Sequence, residues 1–402
     1  MKQAYIIDAV RTPIGSFGGT LSTVRADDLA AMVIAELVLR NPQIPAEVIG
    51  DVILGCVNQA GDDNRNVARM SLLLAGLPPS VPGETVNRLC ASGMSAVVNA
   101  ARAIQSGDGD VFIAGGVENM TRGPWVISKA SKPFGTDAQM FDSSFGWRFI
   151  NPTMEKMYGT EAMGKTAENL VEMYNISRHD QDLFAYQSQM KATQAQASGR
   201  LAEEILPLEI TVKKGETRVF QKDEFVRSST TVEKLATLKP AFKKEGGSVT
   251  AGNASGLNDG AAAMYMASED AIKRYNLMPK ARIVASAVAG VEPRIMGIGP
   301  VPATQAALKK AGLSLSDIDL IELNEAFAAQ AIACIRQLGL ADNDPRINPN
   351  GGAIALGHPL GMSGTRIIQA AAIELHKQNK RYALATMCIG VGQGYAVIIE
   401  KV

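Results

Sequence analysis

Cys90 stands in Asn-Arg-Leu-Cys-Ala-Ser-Gly-Met-Ser-Ala, where the apolar run 85–89 hands over to residues at helical spacing: Met94, Val97, Val98, Ala101 and Ile104. That pattern sets its sulfur at a helix start, where unpaired N–H groups and the helix dipole favour thiolate over thiol. Ala91, Ser92 and Gly93 are small enough for a tight turn and for a substrate to come close. The competing reading is a small buried hydrophobe, a common fate of free cysteine. His358 lies in the 351–364 segment Gly-Gly-Ala-Ile-Ala-Leu-Gly-His-Pro-Leu-Gly-Met-Ser-Gly, five glycines in 14 residues, again at a strand-to-helix turn. Such a loop brings an imidazole and backbone N–H groups close to a ligand, and an imidazole is the usual base for a nucleophilic thiol. His179 and His376, the other two histidines, sit in polar helical contexts and read as solvated.

A second thiol, Cys388, follows the apolar strand 382–387 in Ala-Thr-Met-Cys-Ile-Gly-Val-Gly-Gln-Gly. Gly390, Gly392 and Gly394 form a backbone loop able to donate N–H groups to an oxyanion. A disulfide with Cys90 is the rival reading, disfavoured in a reducing compartment. Cys56 and Cys334 read as core hydrophobes. In Glu322-Leu-Asn-Glu-Ala-Phe, Asn324 is either a helix cap or an amide that holds a water or polarises a carbonyl. Glu325 is either a first-turn carboxylate or an orienter of His358.

The elements that must position these groups fall into two halves. Strand-like and helix-period runs alternate over residues 1–120, a pattern of layered α/β structure. Residues 121–247 change texture, with a long helical stretch over 164–199, and read as a loop domain covering the site. Residues 248–271 return to the first half, and 272–402 repeat the α/β pattern. Asp51 and Asp319 share one sequence pattern, an offset of 319 − 51 = 268. Cys90-Ala-Ser-Gly-Met-Ser aligns with His358-Pro-Leu-Gly-Met-Ser at the same offset, 358 − 90 = 268. A duplicated unit follows, with Cys90 and His358 at equivalent turns.

Composition narrows the function classes. The 402 residues carry Lys+Arg 40 against Asp+Glu 40, with no like-charge run to suggest nucleic acid or an anionic membrane surface as partner. The start alternates as a first strand does and lacks the apolar core of a secretory signal. No apolar run approaches the roughly 20 residues that span a bilayer. Four widely separated cysteines lack metal-site or disulfide-framework spacing and predict a cytoplasmic setting.

Asn-Arg-Leu-Cys-Ala-Ser-Gly, Asn-Glu-Ala-Phe, Gly-His-Pro-Leu-Gly and Cys-Ile-Gly-Val-Gly-Gln-Gly, in that order, resemble the site motifs of the thiolase family, and the resemblance extends over essentially the whole chain. It implies a five-layered αβαβα duplicated α/β fold with an inserted loop domain, assembled as a homotetramer of tight dimers. By that resemblance Cys90 is the acylated nucleophile, His358 the base that activates it, and Cys388 the acid/base at the α-carbon of the acetyl unit. Asn324, through a water, forms one oxyanion hole with His358, and the N–H groups of Cys90 and Gly390 form the other. Ser255 matches a pantetheine contact, and Arg227 and Leu238 match adenine-end contacts. Coenzyme A is then a substrate, and no metal or other cofactor is implied.

Where acetoacetyl-CoA enzymes of the family carry a histidine before Met-Gly, this chain has Ala162. The segments 145–152, 290–300 and 361–364 are similar to family members that cleave 3-oxoadipyl-CoA to succinyl-CoA and acetyl-CoA in aromatic degradation. The alternative is an acetyl-CoA C-acetyltransferase acting on acetoacetyl-CoA or longer 3-oxoacyl-CoA. A dicarboxylic acyl chain needs a cation or polar donor for its far carboxylate; Arg148, between Trp147 and Phe149, is the candidate, against a surface arginine stacked on Trp147. Met296 and Phe327 join it as candidate substrate contacts.

Overall fold

The computed structural model describes residues 2–213 and 215–402. The first half runs β1 (Ala4–Arg11), β2 (Gly15–Ser16), α1 (Ala26–Arg40), β3 (Asp51–Gly55), α2 (Val67–Leu74), β4 (Gly83–Val86), α3 (Ser92–Ser106) and β5 (Val111–Asn119). An inserted stretch follows: β6 (Trp125–Ile127), β7 (Met140–Asp142), α4 (Pro152–Tyr158), α5 (Met163–Tyr174), α6 (Arg178–Ala197), the hairpin β8 (Leu208–Lys213) and β9 (Glu216–Phe220), and α7 (Val232–Ala236). The chain returns through β10 (Asn258–Ser268) and α8 (Glu269–Tyr275). The second half is β11 (Ala281–Gly290), α9 (Pro300–Ala311), β12 (Leu320–Leu323), α10 (Ala328–Gln337), α11 (Ala353–Leu356), α12 (Leu360–Lys377), β13 (Tyr382–Ile389) and β14 (Gln393–Lys401).

The large sheet is ordered β12-β13-β14-β11-β1-β10-β5-β3-β4. Its halves meet at β1 and β11, antiparallel through Tyr5 with Arg282 and Ile6 with Ala281. Outward from that seam one side reads β1-β10-β5-β3-β4 and the other β11-β14-β13-β12. The parallel pair β3 and β5 answers the parallel pair β12 and β13. Where β4 lies beside β3, the second half keeps only a parallel bridge between Ile321 and Ile347. The duplication read at an offset of 268 is thus present in topology: α3 begins at Ser92 and α12 at Leu360, and 360 − 92 = 268.

The two sheet halves fold over α3 and α12. Met94, Val97, Ile104, Ile367, Ile368 and Leu375 of these helices share one core with Ile53 and Phe112 of the first half and Leu320, Met387 and Val397 of the second. Burying each such side chain is worth ~1.5–3 kcal/mol, and this face is apolar because both helices lie between sheets. α1 and α2 cover the outer face of one half, and α9 and α10 that of the other, which completes five layers. The helix starts touch because glycines face each other: a Cβ on Gly93 would lie 2.5 Å from the Gly361 carbonyl oxygen, and one on Gly364 would lie 2.4 Å from Met94 N. α3 stops at Gly107, whose φ of 88° closes the helix in the left-handed region.

Two local expectations shift. The strand before Cys90 ends at Val86, and Leu89 takes a φ of 47°, so a turn separates strand from helix. The single helix expected over 164–199 is two, because Asn175 caps α5 in the left-handed region and the Ser177 hydroxyl accepts from Asp180 N to start α6. A buried ion network ties the insertion to the core. Arg11 of β1 donates to Glu204 at 3.0 Å and to Asp223 at 2.7 and 2.9 Å, and Arg200 pairs with Glu204 and with Glu374 of α12.

Candidate active site

The adjoining N-termini of α3 and α12 carry Cys90 and His358, each two residues before its helix begins. His358 is buried, and Ser363 in the first turn of α12 fixes its ring: Nδ1 lies 2.7 Å from Ser363 Oγ, while that hydroxyl donates to the Pro359 carbonyl at 2.8 Å. A hydroxyl has one proton, already given to Pro359, so Nδ1–H is the donor to Ser363 and Nε2 carries the lone pair. Asn324 Nδ2 faces that Nε2 at 3.4 Å. Asn324 is fully buried, and its Oδ1 has no hydrogen-bond partner, an acceptor that a water in the pocket would satisfy.

Cys388 reaches the site from the end of β13 and is buried with Met296, Phe327, Ala167 and Ala254, with Met163 packed against the cluster. Gly390 follows in the turn; a Cβ there would sit 3.2 Å from Leu89 Cδ1 and 3.7 Å from Met163 Sδ. The backbone N–H groups of Gly390 and of Cys90 itself both pull the Cys90 thiol downward, and the Cys388 turn meets the Cys90 turn where a Cβ at Gly390 would lie against Leu89. Two amide donors on that side of the sulfur suit an oxygen that gains charge on an atom bonded to it. Ser255 donates both its N–H, at 3.0 Å, and its hydroxyl, at 3.1 Å, to the Ala326 carbonyl, two residues beyond Asn324.

The electrostatics correct the helix-start argument for Cys90. Burial raises its thiol to about 11, against the lowering by the two amides. Burial, with a contribution from Arg366, drives His358 down to about 3. Cys388 is raised well above its ordinary value by burial and by the charge of Cys90. Desolvation outweighs the dipole, so the resting pair is a thiol and a neutral imidazole. His358 takes the proton as the sulfur attacks.

Residues 4–270 match the thiolase N-terminal domain and residues 277–401 the thiolase C-terminal domain. The chain belongs to the thiolase family. It is an acyltransferase. Its full length is 60% identical to a 3-oxoadipyl-CoA/3-oxo-5,6-dehydrosuberyl-CoA thiolase of Escherichia coli (strain K12), with 100% of both chains covered. A beta-ketoadipyl-CoA thiolase of Acinetobacter baylyi is 57% identical, also over 100% of each. The crystal structure of a Bacillus anthracis acetyl-CoA acetyltransferase superposes with a TM-score of 0.91 at 43% identity, covering 100% of this chain and 99% of that one.

Several site expectations for this thiolase meet different surroundings. Glu325 does not touch His358; its carboxylate bonds to Ser188, Asn348 and the Ile354 N–H, and Ser363 holds the imidazole instead. Asn324 caps no helix, because α10 starts only at Ala328 and the intervening residues are irregular. The stretch before His358 is the short helix α11, not a strand. Arg227 lies over the Phe225 ring at 5.3 Å, with no ion pair among the described residues, and Leu238 is 38% exposed. Arg148 makes one long bond, 3.4 Å to the Ser143 carbonyl, and does not stack on Trp147, whose indole N–H donates to the Glu161 carbonyl at 3.2 Å. His179 and His376 are exposed, and Cys56 and Cys334 are buried. All four cysteines are free.

Ser363 and Glu118 escaped the sequence reading. Ser363 lies in the His358 motif five residues on, a spacing that puts it over the imidazole once the helix turns. Glu118, at the end of β5, has no such signal. Its buried carboxylate accepts the N–H groups of Val57, Asn58 and Gly361 at 3.0 Å each, fixing the α12 start against the loop that follows β3. Cys56 and Asp63 lie within 4.8 Å of it, but Asp63 already accepts from Gln59 N, Gly61 N and the Cys56 thiol. Those acceptors serve the backbone, which leaves little for a metal ion.

Proposed function

We propose that this thiolase cleaves 3-oxoadipyl-CoA with free coenzyme A, giving succinyl-CoA and acetyl-CoA. Supporting the chemistry is one juxtaposition: the turn after Cys388 meets the turn before Cys90, from opposite halves of the duplication, where a Cβ at Gly390 would lie 3.2 Å from Leu89 Cδ1, and Asn324 Nδ2 lies 3.4 Å from His358 Nε2. Cys90 attacks the 3-keto carbon as His358 Nε2 takes its proton. The oxygen gains negative charge on the side of the Cys90 and Gly390 amides. Breaking the bond between the α- and β-carbons expels the acetyl-CoA enolate, whose oxygen is held on the side of Asn324 and His358 and whose carbon takes a proton from Cys388. Succinyl stays on Cys90 as a thioester. Coenzyme A, giving its proton to Cys388, then attacks that thioester; the bond to the Cys90 sulfur breaks, that sulfur recovers its proton from His358, and succinyl-CoA leaves. Each step moves an acyl group or a proton, so coenzyme A serves as substrate and no metal or redox cofactor enters.

The substrate assignment is supported by the activities for which the E. coli and A. baylyi relatives are named and by Ala162 in place of a histidine. Arg148, without an ion pair among the described residues and beside Trp147, whose indole N–H donates to the Glu161 carbonyl, is the group proposed for the far carboxylate. Met296 and Phe327, packed against Cys388, are proposed to line the acyl channel. Ser255, Arg227 and Leu238 are proposed along coenzyme A. The chain is further proposed to be a cytoplasmic homotetramer, with Trp125, Ile127 and Phe134 on and around the β6–β7 hairpin, 71%, 66% and 105% exposed, as apolar side chains that a neighbouring copy covers. No helix among the described residues is long and apolar enough to cross a membrane. Thiolysis rates across acetoacetyl-, longer 3-oxoacyl- and 3-oxoadipyl-CoA test the substrate. Preference for 3-oxoadipyl-CoA is expected; a preference for acetoacetyl-CoA would move the assignment to an acetyl-CoA C-acetyltransferase.

A further inference from the structure

Residues 324–327 lie between β12 and α10, and successive residues reach different parts of the site. Asn324 Nδ2 faces His358. The Ala326 carbonyl holds Ser255, and Phe327 packs against Cys388. Glu325 turns the other way. Its buried carboxylate accepts from the Ser188 hydroxyl of α6 at 2.6 Å, from Asn348 Nδ2 at 2.7 Å and from Ile354 N, on the way to His358, at 3.2 Å.

Asn348 completes a clamp on the same strand end, since its Oδ1 accepts from Leu323 N at 2.9 Å and its Nδ2 donates to the Leu323 carbonyl at 2.8 Å. Gly352 admits the carboxylate: a Cβ there would lie 2.2 Å from Glu325 Cδ, and its N–H donates to the same Ser188 hydroxyl at 3.1 Å. Ser188, Lys191, Glu325 and Asn348 also line a cavity of about 10 Å³, room for about one water. Lys191 closes it by donating to the Ile347 carbonyl at 2.9 Å.

We propose that Glu325 is a positioning residue: through Ser188 it fastens the strand end bearing Asn324 and the loop bearing His358 to helix α6 of the covering insertion. The anion-stabilising side of the pocket is then set only while α6 is docked. This rests on the thiolase reading of the site. Glu325 touches no reacting atom and acts through Asn324. The imidazole keeps its own anchor at Ser363, so loss of the clamp separates two functions that general loosening would lose together. Activation of the Cys90 thiol persists, while charge stabilisation at Asn324 fails.

The experiment compares wild type, Glu325→Gln and Ser188→Ala by steady-state thiolysis, by acyl transfer to Cys90 and by alkylation of Cys90 with iodoacetamide, which builds no oxyanion. A displacement of about 1 Å at a catalytic group costs on the order of 100-fold, the drop in kcat expected for Glu325→Gln. Ser188→Ala, which removes only the α6 link, is expected to lose about 10-fold. The KM for coenzyme A should stay within about threefold and alkylation within about twofold in both variants. Unchanged kcat in both overturns the proposal, and so does alkylation falling in step with kcat, which marks general loosening. Wild-type protein that takes no acyl group on Cys90 would overturn the thiolase reading itself, and the clamp with it.

Discussion

Replacing Ser363 with alanine tests how the base is prepared. The single Ser363 hydroxyl proton goes to the Pro359 carbonyl at 2.8 Å, so the oxygen receives Nδ1–H at 2.7 Å and leaves Nε2 as the acceptor. Without Oγ, Nδ1–H and the Pro359 carbonyl both lose a partner in a buried place, and the ring is free to take the other tautomer. When Cys90 attacks, the imidazole becomes charged and the lost bond is a charge-assisted one, worth about 1.5–3 kcal/mol. At 1.36 kcal/mol per decade that is about 10- to 100-fold in the rate of Cys90 acylation. The assay is rapid-quench measurement of acyl transfer to Cys90, with substrate KM expected to stay within about threefold because Ser363 makes no substrate contact. A melting curve taken alongside accounts for any loss of folded protein. Acylation within about twofold of wild type would refute the reasoning, because it would mean that Ser363 neither selects the tautomer nor supports the charge.

Four further outcomes are expected. Cys388→Ala should lower thiolysis by about 10²- to 10⁴-fold while Cys90 still reacts with iodoacetamide; loss of alkylation as well would show that Cys388 only shapes the pocket. Arg148→Ala should raise KM for 3-oxoadipyl-CoA about 10-fold or more and leave acetoacetyl-CoA unaffected, and equal losses on both would end its carboxylate role. With His358 pushed down to about 3, wild-type alkylation of Cys90 followed against pH should show no inflection near the ordinary histidine range, and an inflection there would mean that His358 titrates as a solvated ring. Glu204 is a buried carboxylate that burial alone would raise, but Arg11 and Arg200 hold it below its ordinary value. A lowered acid contributes stability above that ordinary value and loses it as pH falls through the folded one. Glu204→Gln should therefore cost about 3–5 kcal/mol at neutral pH by denaturant titration, and the gap should close in acid; a gap constant from pH 7 to pH 3 would remove the charge from the explanation.

Much of the fold was legible because duplication leaves a fixed offset. Gly93 and Gly361, equivalent under it, are the positions where α3 and α12 touch, and small residues at a helix contact survive as a visible pattern. The chemistry-bearing residues were legible for a related reason, since thiols, an imidazole and glycine loops stand out against an apolar background. Direction was harder to read. Glu325 neighbours Asn324 in sequence, yet its carboxylate points to Ser188 on an element 137 residues away, and nothing local announces that choice. Ser363 becomes the partner of His358 only once α12 turns. The protonation state of Cys90 could not be read from its helix start, because the burial that raises the thiol comes from packing assembled by both halves.

The central claim is that Cys90 carries the acyl group. Purified protein incubated with 3-oxoadipyl-CoA, quenched in acid and digested, is expected to show a succinyl mass on the Cys90 peptide, and that mass should disappear on addition of coenzyme A as succinyl-CoA forms. A Cys90 peptide that stays unmodified while substrate is consumed, or an acyl group found on Cys388 instead, would contradict the account.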